Sequence, residues 1–139
     1  MKLGIMQPYF FPYLGYFSLI QACDKFIIFD TPQFIRRGWI ERNQILNVKS
    51  EKLFVKVPLL KSSLGTPINE ISINNDQDWE NKIYAQLVPY KKKAPFYKEV
   101  IELLENTFAK KTDSIVDINK EALLNICKYL KIDTPIVTF

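Results

Sequence analysis

The sequence predicts an α/β domain of the three-layer, Rossmann-like kind, with a small, mostly parallel sheet and a helical second half. Three observations lead there. Two short apolar runs, "KLGIM" and "KFIIFD", flank a turn and a helical pattern within the first thirty residues. A stretch of period two, "KLFVKVPLL", follows a polar loop. From residue 75 onward apolar residues recur at helical spacing almost to the end. Strand, helix and buried strand in that order make a βαβ unit, which requires parallel pairing and a right-handed crossover. The 139 residues suit one domain, 1–139, with the βαβ unit within 1–60 and the helical part within 75–132.

Residues 2–6 read as a short buried strand, stopped by Gln7 and Pro8. Pro8 and Pro12 forbid a strand or a helix between them. After Pro12, Leu14, Phe17, Leu19 and Ile20 fall at helical spacing, which predicts a helix of about ten residues. Residues 25–30 read as a second buried strand, and 31–48 as irregular. Leu53, Val55 and Val57 alternate with Phe54 and Lys56 up to Pro58, and "RNQILN" is placed to pair with that strand as a hairpin. An α+β domain whose sheet is dominated by the 44–60 hairpin is the competing architecture. "KSSLGTP" (61–67) reads as a loop and "INEISI" as a brief strand. Asn75 or Asp76 is placed to cap a helix with Trp79, Ile83 and Leu87 on one face, closed by Pro89 and the "YKKKAP" turn. Pro95 opens another, burying Tyr97, Val100 or Ile101, Leu104 and Phe108. Asp113 or Ser114 caps a third, striped by Ile115, Ile118, Ala122, Ile126, Tyr129 and Leu130. The sequence finishes on an apolar strand, "KIDTPIVTF", so the intact protein is expected to continue beyond it.

Composition narrows the chemistry. A net charge of +4 from 19 basic and 15 acidic residues tolerates anionic small molecules but is too mild to argue for nucleic acid. Histidine is absent, which excludes every Ser–His and Cys–His pair. Catalysis would have to run on Asp, Glu, Lys, Arg, Tyr or backbone groups. Cys23 and Cys127 lack spacing partners, so they read as buried thiols rather than zinc ligands, and no metal is expected. No motif names a cofactor. With no secretory pattern and no apolar run of about 18 residues, a cytoplasmic protein without a membrane span is expected.

Two constellations carry the functional reading. "MQPYFFPYLGYF" (6–17) holds six aromatic rings, two prolines and a glycine. It lies where open parallel sheets place ligands, beyond the carboxyl end of a strand and at a helix start. Gly15 would let a ligand approach, and Tyr9, Tyr13 and Tyr16 would stack on a base or sugar. Phe10, Leu14 and Phe17 are expected in the core. Gln7, Tyr13 and Tyr16 are expected in a cleft shared with Asp30 and an arginine, because Gln7 and Asp30 end neighbouring strands. The competing reading makes the rings a wedge between helix and sheet.

The second constellation is "FDTPQFIRRGWIERNQI" (29–45). Asp30 stands where α/β enzymes place working carboxylates and is the candidate base. Arg36, Arg37 and Arg42 offer forks for phosphate or carboxylate, Arg42 being counted with Asp30 in the catalytic pair. Gln33 and Asn43 add amides, and Trp39 could stack on a sugar. The plainer alternative is a solvated basic loop with Trp39 in the core. Lys91, Lys92 and Lys93 read as solvated turn lysines.

"QPYFFPYLGY" is similar to the QP-F-H-x-G-H type of sequence of HIGH-motif nucleotidyltransferases, with Tyr13 and Tyr16 near the places of the two histidines. More specifically, "IMQPYFFPYLGYFSLI", "DKFIIFDTPQFIRRGWIERNQI", "LFVKVPL" and "W…K…YKKKAPFY" resemble the WbqC-like family in order and spacing, over essentially the whole chain. The family's motif positions map onto Gln7, Pro8, Tyr9, Pro12, Gly15, Tyr16, Asp30, Gln33, Arg37, Trp39, Arg42 and Asn43. The resemblance implies a role in bacterial surface-polysaccharide (O-antigen) gene clusters, as a transferase of glycine or an enzyme acting on a nucleotide-sugar. The implied partner is a small anionic substrate: a sugar, a nucleotide-sugar or an amino acid. Lys82 and Ile83 stand where family members often carry Lys-His, and the family's usual C-terminal half continues past "IDTPIV". A non-catalytic binding protein of the same pathway is therefore carried as the alternative, with nucleic-acid binding ranked behind both.

Overall fold

The computed structural model describes residues 1–139. It contains strands β1 (Leu3–Met6), β2 (Lys25–Ile28), β3 (Arg42–Leu46), β4 (Lys52–Lys56) and β5 (Ile136–Thr138). Its helices are α1 (Leu14–Gln21), α2 (Trp79–Leu87), α3 (Tyr97–Ala109) and α4 (Ile115–Leu130). The chain is α/β, and β1, β2 and β5 make a small parallel sheet in that order. The expected βαβ unit is present, with Gly4 opposite Phe26. The β3–β4 hairpin forms a separate antiparallel pair and does not dominate the sheet.

Strand alternation sorts the two faces of the sheet. Gly4, Phe26 and Ile28 point inward and are buried, while Leu3 and Ile5 point outward and stay half-exposed. A Cβ on Gly4 would meet Cys23 Sγ at 2.8 Å and the Phe26 ring at 2.8 Å, so only glycine lets α1 settle this close. Every step of the sheet order goes the same way, and right-handed crossovers then put both connections on one face. On that face Tyr16, Phe17 and Ile20 of α1 share a core with Phe26, Ile28 and with Ile115, Leu123 and Cys127 of α4.

Local signals hold best where a cap or a strong stripe is present. Ser114 caps α4, its Oγ accepting the Asp117 N–H at 3.2 Å. Leu104 and Phe108 are buried as expected. Ile101 rather than Val100 faces the core. Tyr129 and Leu130 overrun the core and are exposed. Leu14 is also exposed, at 79%, because Tyr16 takes the inward place in the first turn of α1. "INEISI" is not a strand. Ile68–Glu70 makes a single 3₁₀ turn whose N–H groups reach Pro32 and Asp30 carbonyls. Beyond it Ser72 makes an isolated bridge with Ser114, and Ile73 with Leu59. Neither expected residue caps α2. It starts at Trp79, and Asn75 instead accepts the indole N–H at 3.3 Å.

Candidate functional site

The aromatic turn is shaped from behind by Asn43. Its Nδ2 donates to the carbonyls of Phe10 (3.1 Å) and Phe11 (2.7 Å), while its Oδ1 accepts the Gln44 N–H at 2.7 Å. The Phe10 N–H donates to the Trp39 carbonyl at 2.8 Å. Phe11 is left-handed at φ +49°, which is how a chain with a proline on each side turns so sharply. Phe10, Tyr16 and Phe17 are core residues, so half of the six rings serve packing.

Of the other three, Phe11 packs against Phe10 and Phe108, and Tyr9 frames an opening with Trp39. Tyr9 and Trp39 lie parallel, 3° apart in orientation and 6.1 Å between centroids. Together with Gln7, Pro8, Phe29 and Ile35 they line a cleft of about 500 Å³ beyond the carboxyl end of β1. Tyr16 forms its floor at 1% exposure, its hydroxyl donating to the Gln7 carbonyl at 2.8 Å. Burial pushes the Tyr16 phenol well above its ordinary range. Tyr9 is raised too, by burial first and by neighbouring Tyr13 second. Tyr13 is 61% exposed and meets Tyr9 edge-on. Gly15 serves Tyr13 rather than a ligand, since a Cβ there would lie 2.5 Å from the Tyr13 ring.

A second cleft, of about 480 Å³, opens on the other side of the segment 35–41, with Arg36, Arg37, Glu41, Lys56 and Lys61 among its lining. The Arg36 guanidinium donates to the Ser62 carbonyl across this cleft. Arg37 is left-handed, φ +61°, and its N–H donates to Glu41 Oε1 at 3.0 Å. Glu41 is 9% exposed and its Oε2 has no partner. Burial raises its pKa above the ordinary carboxylate value, against the pull of its hydrogen bonds and of Arg42 and Lys56. Arg42 braces the segment from below. It donates to the Gly38 carbonyl at 3.1 Å and to the Arg37 carbonyl, and its guanidinium lies 4.2 Å from the centre of the Phe54 ring. Asn119 of α4 pins the same segment by donating to the Ile40 carbonyl at 2.9 Å.

The structure thus divides the residues singled out in the sequence. Gln7, Tyr9, Tyr16 and Trp39 meet in the aromatic cleft, with Tyr13 at its margin. Arg36 and Arg37 stand in the basic cleft, while Arg42 and Asn43 hold the loops from behind. The shared crevice of Gln7 and Asp30 is not found. Asp30 follows the inward parity of Phe26 and Ile28, lines neither cleft, and is buried with Oδ1 unpartnered, whereas Gln7 opens outward. Gln33 is exposed and makes an isolated bridge with Pro67. Glu41 escaped sequence reading because nothing local marks a glutamate before a strand as buried. Its burial comes from the hairpin, where the Val57 N–H donates to the Glu41 carbonyl at 2.8 Å. No group of three or more His, Cys, Asp or Glu side chains is placed to hold a metal ion. No helix is long and apolar enough to cross a membrane.

The profile of the WbqC-like protein family matches residues 7–139. An uncharacterized protein of Mycobacterium tuberculosis, Rv1507c, is 30% identical over 135 residues, which cover 96% of this chain and 58% of that protein. The chain therefore spans little more than half the length of the curated relative it matches. No solved structure matches it.

Proposed function

The chain belongs to the WbqC-like protein family, and from that membership we propose that it acts as a transferase in the assembly of bacterial surface polysaccharide (O-antigen). The substrate is a nucleotide-sugar or a sugar receiving a small group such as glycine. One observation carries the reading: an aromatic cleft and a basic cleft lie on either side of the single segment 35–41. A sugar face suits the parallel rings of Tyr9 and Trp39, and donor phosphates suit Arg36, Arg37, Lys56 and Lys61. The reading takes the β1-β2-β5 sheet as part of a three-layer, Rossmann-like arrangement and places the protein in the cytoplasm, with no nucleic-acid partner.

A second reading, a non-catalytic binding protein of the same pathway, is favoured by the placement of the two residues expected to be catalytic. Asp30 lines neither cleft, and the Arg42 guanidinium is engaged with carbonyls and a ring. Incubation with nucleotide-sugars and glycine, followed by mass spectrometry of the products, separates the readings. A transferase yields a product whose mass records the transferred group. A binding protein gives saturable binding and no product.

A further inference from the structure

Four cations and one buried acid line the basic cleft. Neither ion pair in the chain, Lys110 with Glu121 or Lys111 with Glu80, involves Arg36, Arg37, Lys56 or Lys61. Glu41, whose Oε1 is engaged by the Arg37 N–H, keeps Oε2 without any partner. A buried oxygen left this way is costly, and none of the four cations is held in an ion pair.

We propose that this cleft is an anion-binding site in which Glu41, in its acid form, donates a hydrogen bond from Oε2 to a phosphate oxygen, so that at a pH where Glu41 of the free protein is ionised binding draws one proton from solvent. The inference rests on the reading of the cleft as the seat of a donor's phosphates. A phosphate among Arg36, Arg37, Lys56 and Lys61 has charge complementarity on those sides. An ionised Glu41 would repel it, whereas the acid offers the donor that completes the cage. Arg37 bonds Glu41 from its own loop, Arg42 in β3 and Lys56 in β4 act on it by charge, and Arg36 and Lys61 line the same cleft. Glu41 is the carboxyl among these groups, so the proton belongs to it. Burial already raises its pKa, which favours the acid form. No bond is made or broken in the step.

The test uses inorganic sulfate, which stays a dianion across the range and takes up no proton itself. Sulfate is titrated calorimetrically into the purified chain in buffers of different ionisation enthalpy. Above the point where Glu41 ionises, affinity is expected to fall about tenfold per pH unit, with heats that vary with the buffer. Glu41→Gln should flatten both dependences. Should that variant fail to fold, the exposed pair Lys56→Gln and Lys61→Gln provides the second arm, giving weaker binding with the same proton uptake at saturation. Absence of sulfate binding, buffer-independent heats in the native chain, an unchanged pH slope in Glu41→Gln, or undiminished affinity in the lysine variant overturns the proposal. Proton-linked sulfate binding without turnover of a nucleotide-sugar would remove the transferase reading and leave this one. Turnover without proton-linked binding would do the reverse.

Discussion

Arg37 holds the Glu41 carboxylate by its backbone N–H at 3.0 Å, and does so from a left-handed conformation, φ +61°. A non-glycine residue in that region costs on the order of 1 kcal/mol. The strain is retained where the segment must turn back beneath a cluster of cations.

Arg37→Gly should therefore leave stability within about 1 kcal/mol of the native chain, relief of strain offsetting the added freedom of the unfolded state. Arg37→Val should cost about 1–2 kcal/mol more, since a β-branched side chain tolerates this backbone least. Urea midpoints of the two variants, compared at one pH, check the order.

Glu41 gives stability a defined pH slope. Its folded pKa lies above the ordinary value of 4.5, so between that value and the folded one the native state binds more protons than the unfolded chain. Its contribution is fully present below the unfolded value and is lost as pH rises through the folded one. Urea midpoints should fall across that window in the native chain and fall less in Glu41→Gln.

Asn43→Ala removes three hydrogen bonds at once, two from Nδ2 and one to Oδ1. The expected loss is about 2–3 kcal/mol, because the Phe10 and Phe11 carbonyls are left without that donor. Trp39 is tied to the same turn through its carbonyl, so its fluorescence should shift to the red well below the unfolding transition.

Tyr16→Phe keeps the ring in the core and deletes only its bond to the Gln7 carbonyl. A loss of about 1–2 kcal/mol is expected. The native phenol should resist alkaline titration, seen as an ultraviolet band appearing later than those of the exposed tyrosines, and that late component should vanish in the variant.

Much of the scaffold was legible in the sequence. The βαβ unit showed because "KLGIM" and "KFIIFD" are short apolar runs around a helical stripe, and α4 because Ser114 is a true cap. The hairpin showed through the alternation of Leu53, Val55 and Val57. "INEISI" misled because its apolar alternation fits a strand, while its backbone found carbonyls at Pro32 and Asp30 instead of a ladder. The site was legible as a neighbourhood and not as an arrangement. Aromatics and arginines marked the two loops, but which face Asp30 takes depends on inward parity set by Phe26 and Ile28. The burial of Glu41 depends on a hairpin contact with Val57. Neither is encoded within a few residues of the side chain concerned.

The central strand of the sheet draws its two neighbours from very different distances along the chain. Leu3 of β1 pairs with Lys25, but Ile136 of β5 pairs with Phe26, so the second closure spans about five times as much chain and costs about 1.4 kcal/mol more in loop entropy. The order of assembly follows. The N-terminal unit and the β3–β4 hairpin close over short loops and condense early, whereas β5 docks only after α2, α3 and α4 have drawn its end of the chain home. Until then one edge of β2 stands open, and refolding speed is governed by this final strand far more than by the aromatic turn near the start of the chain.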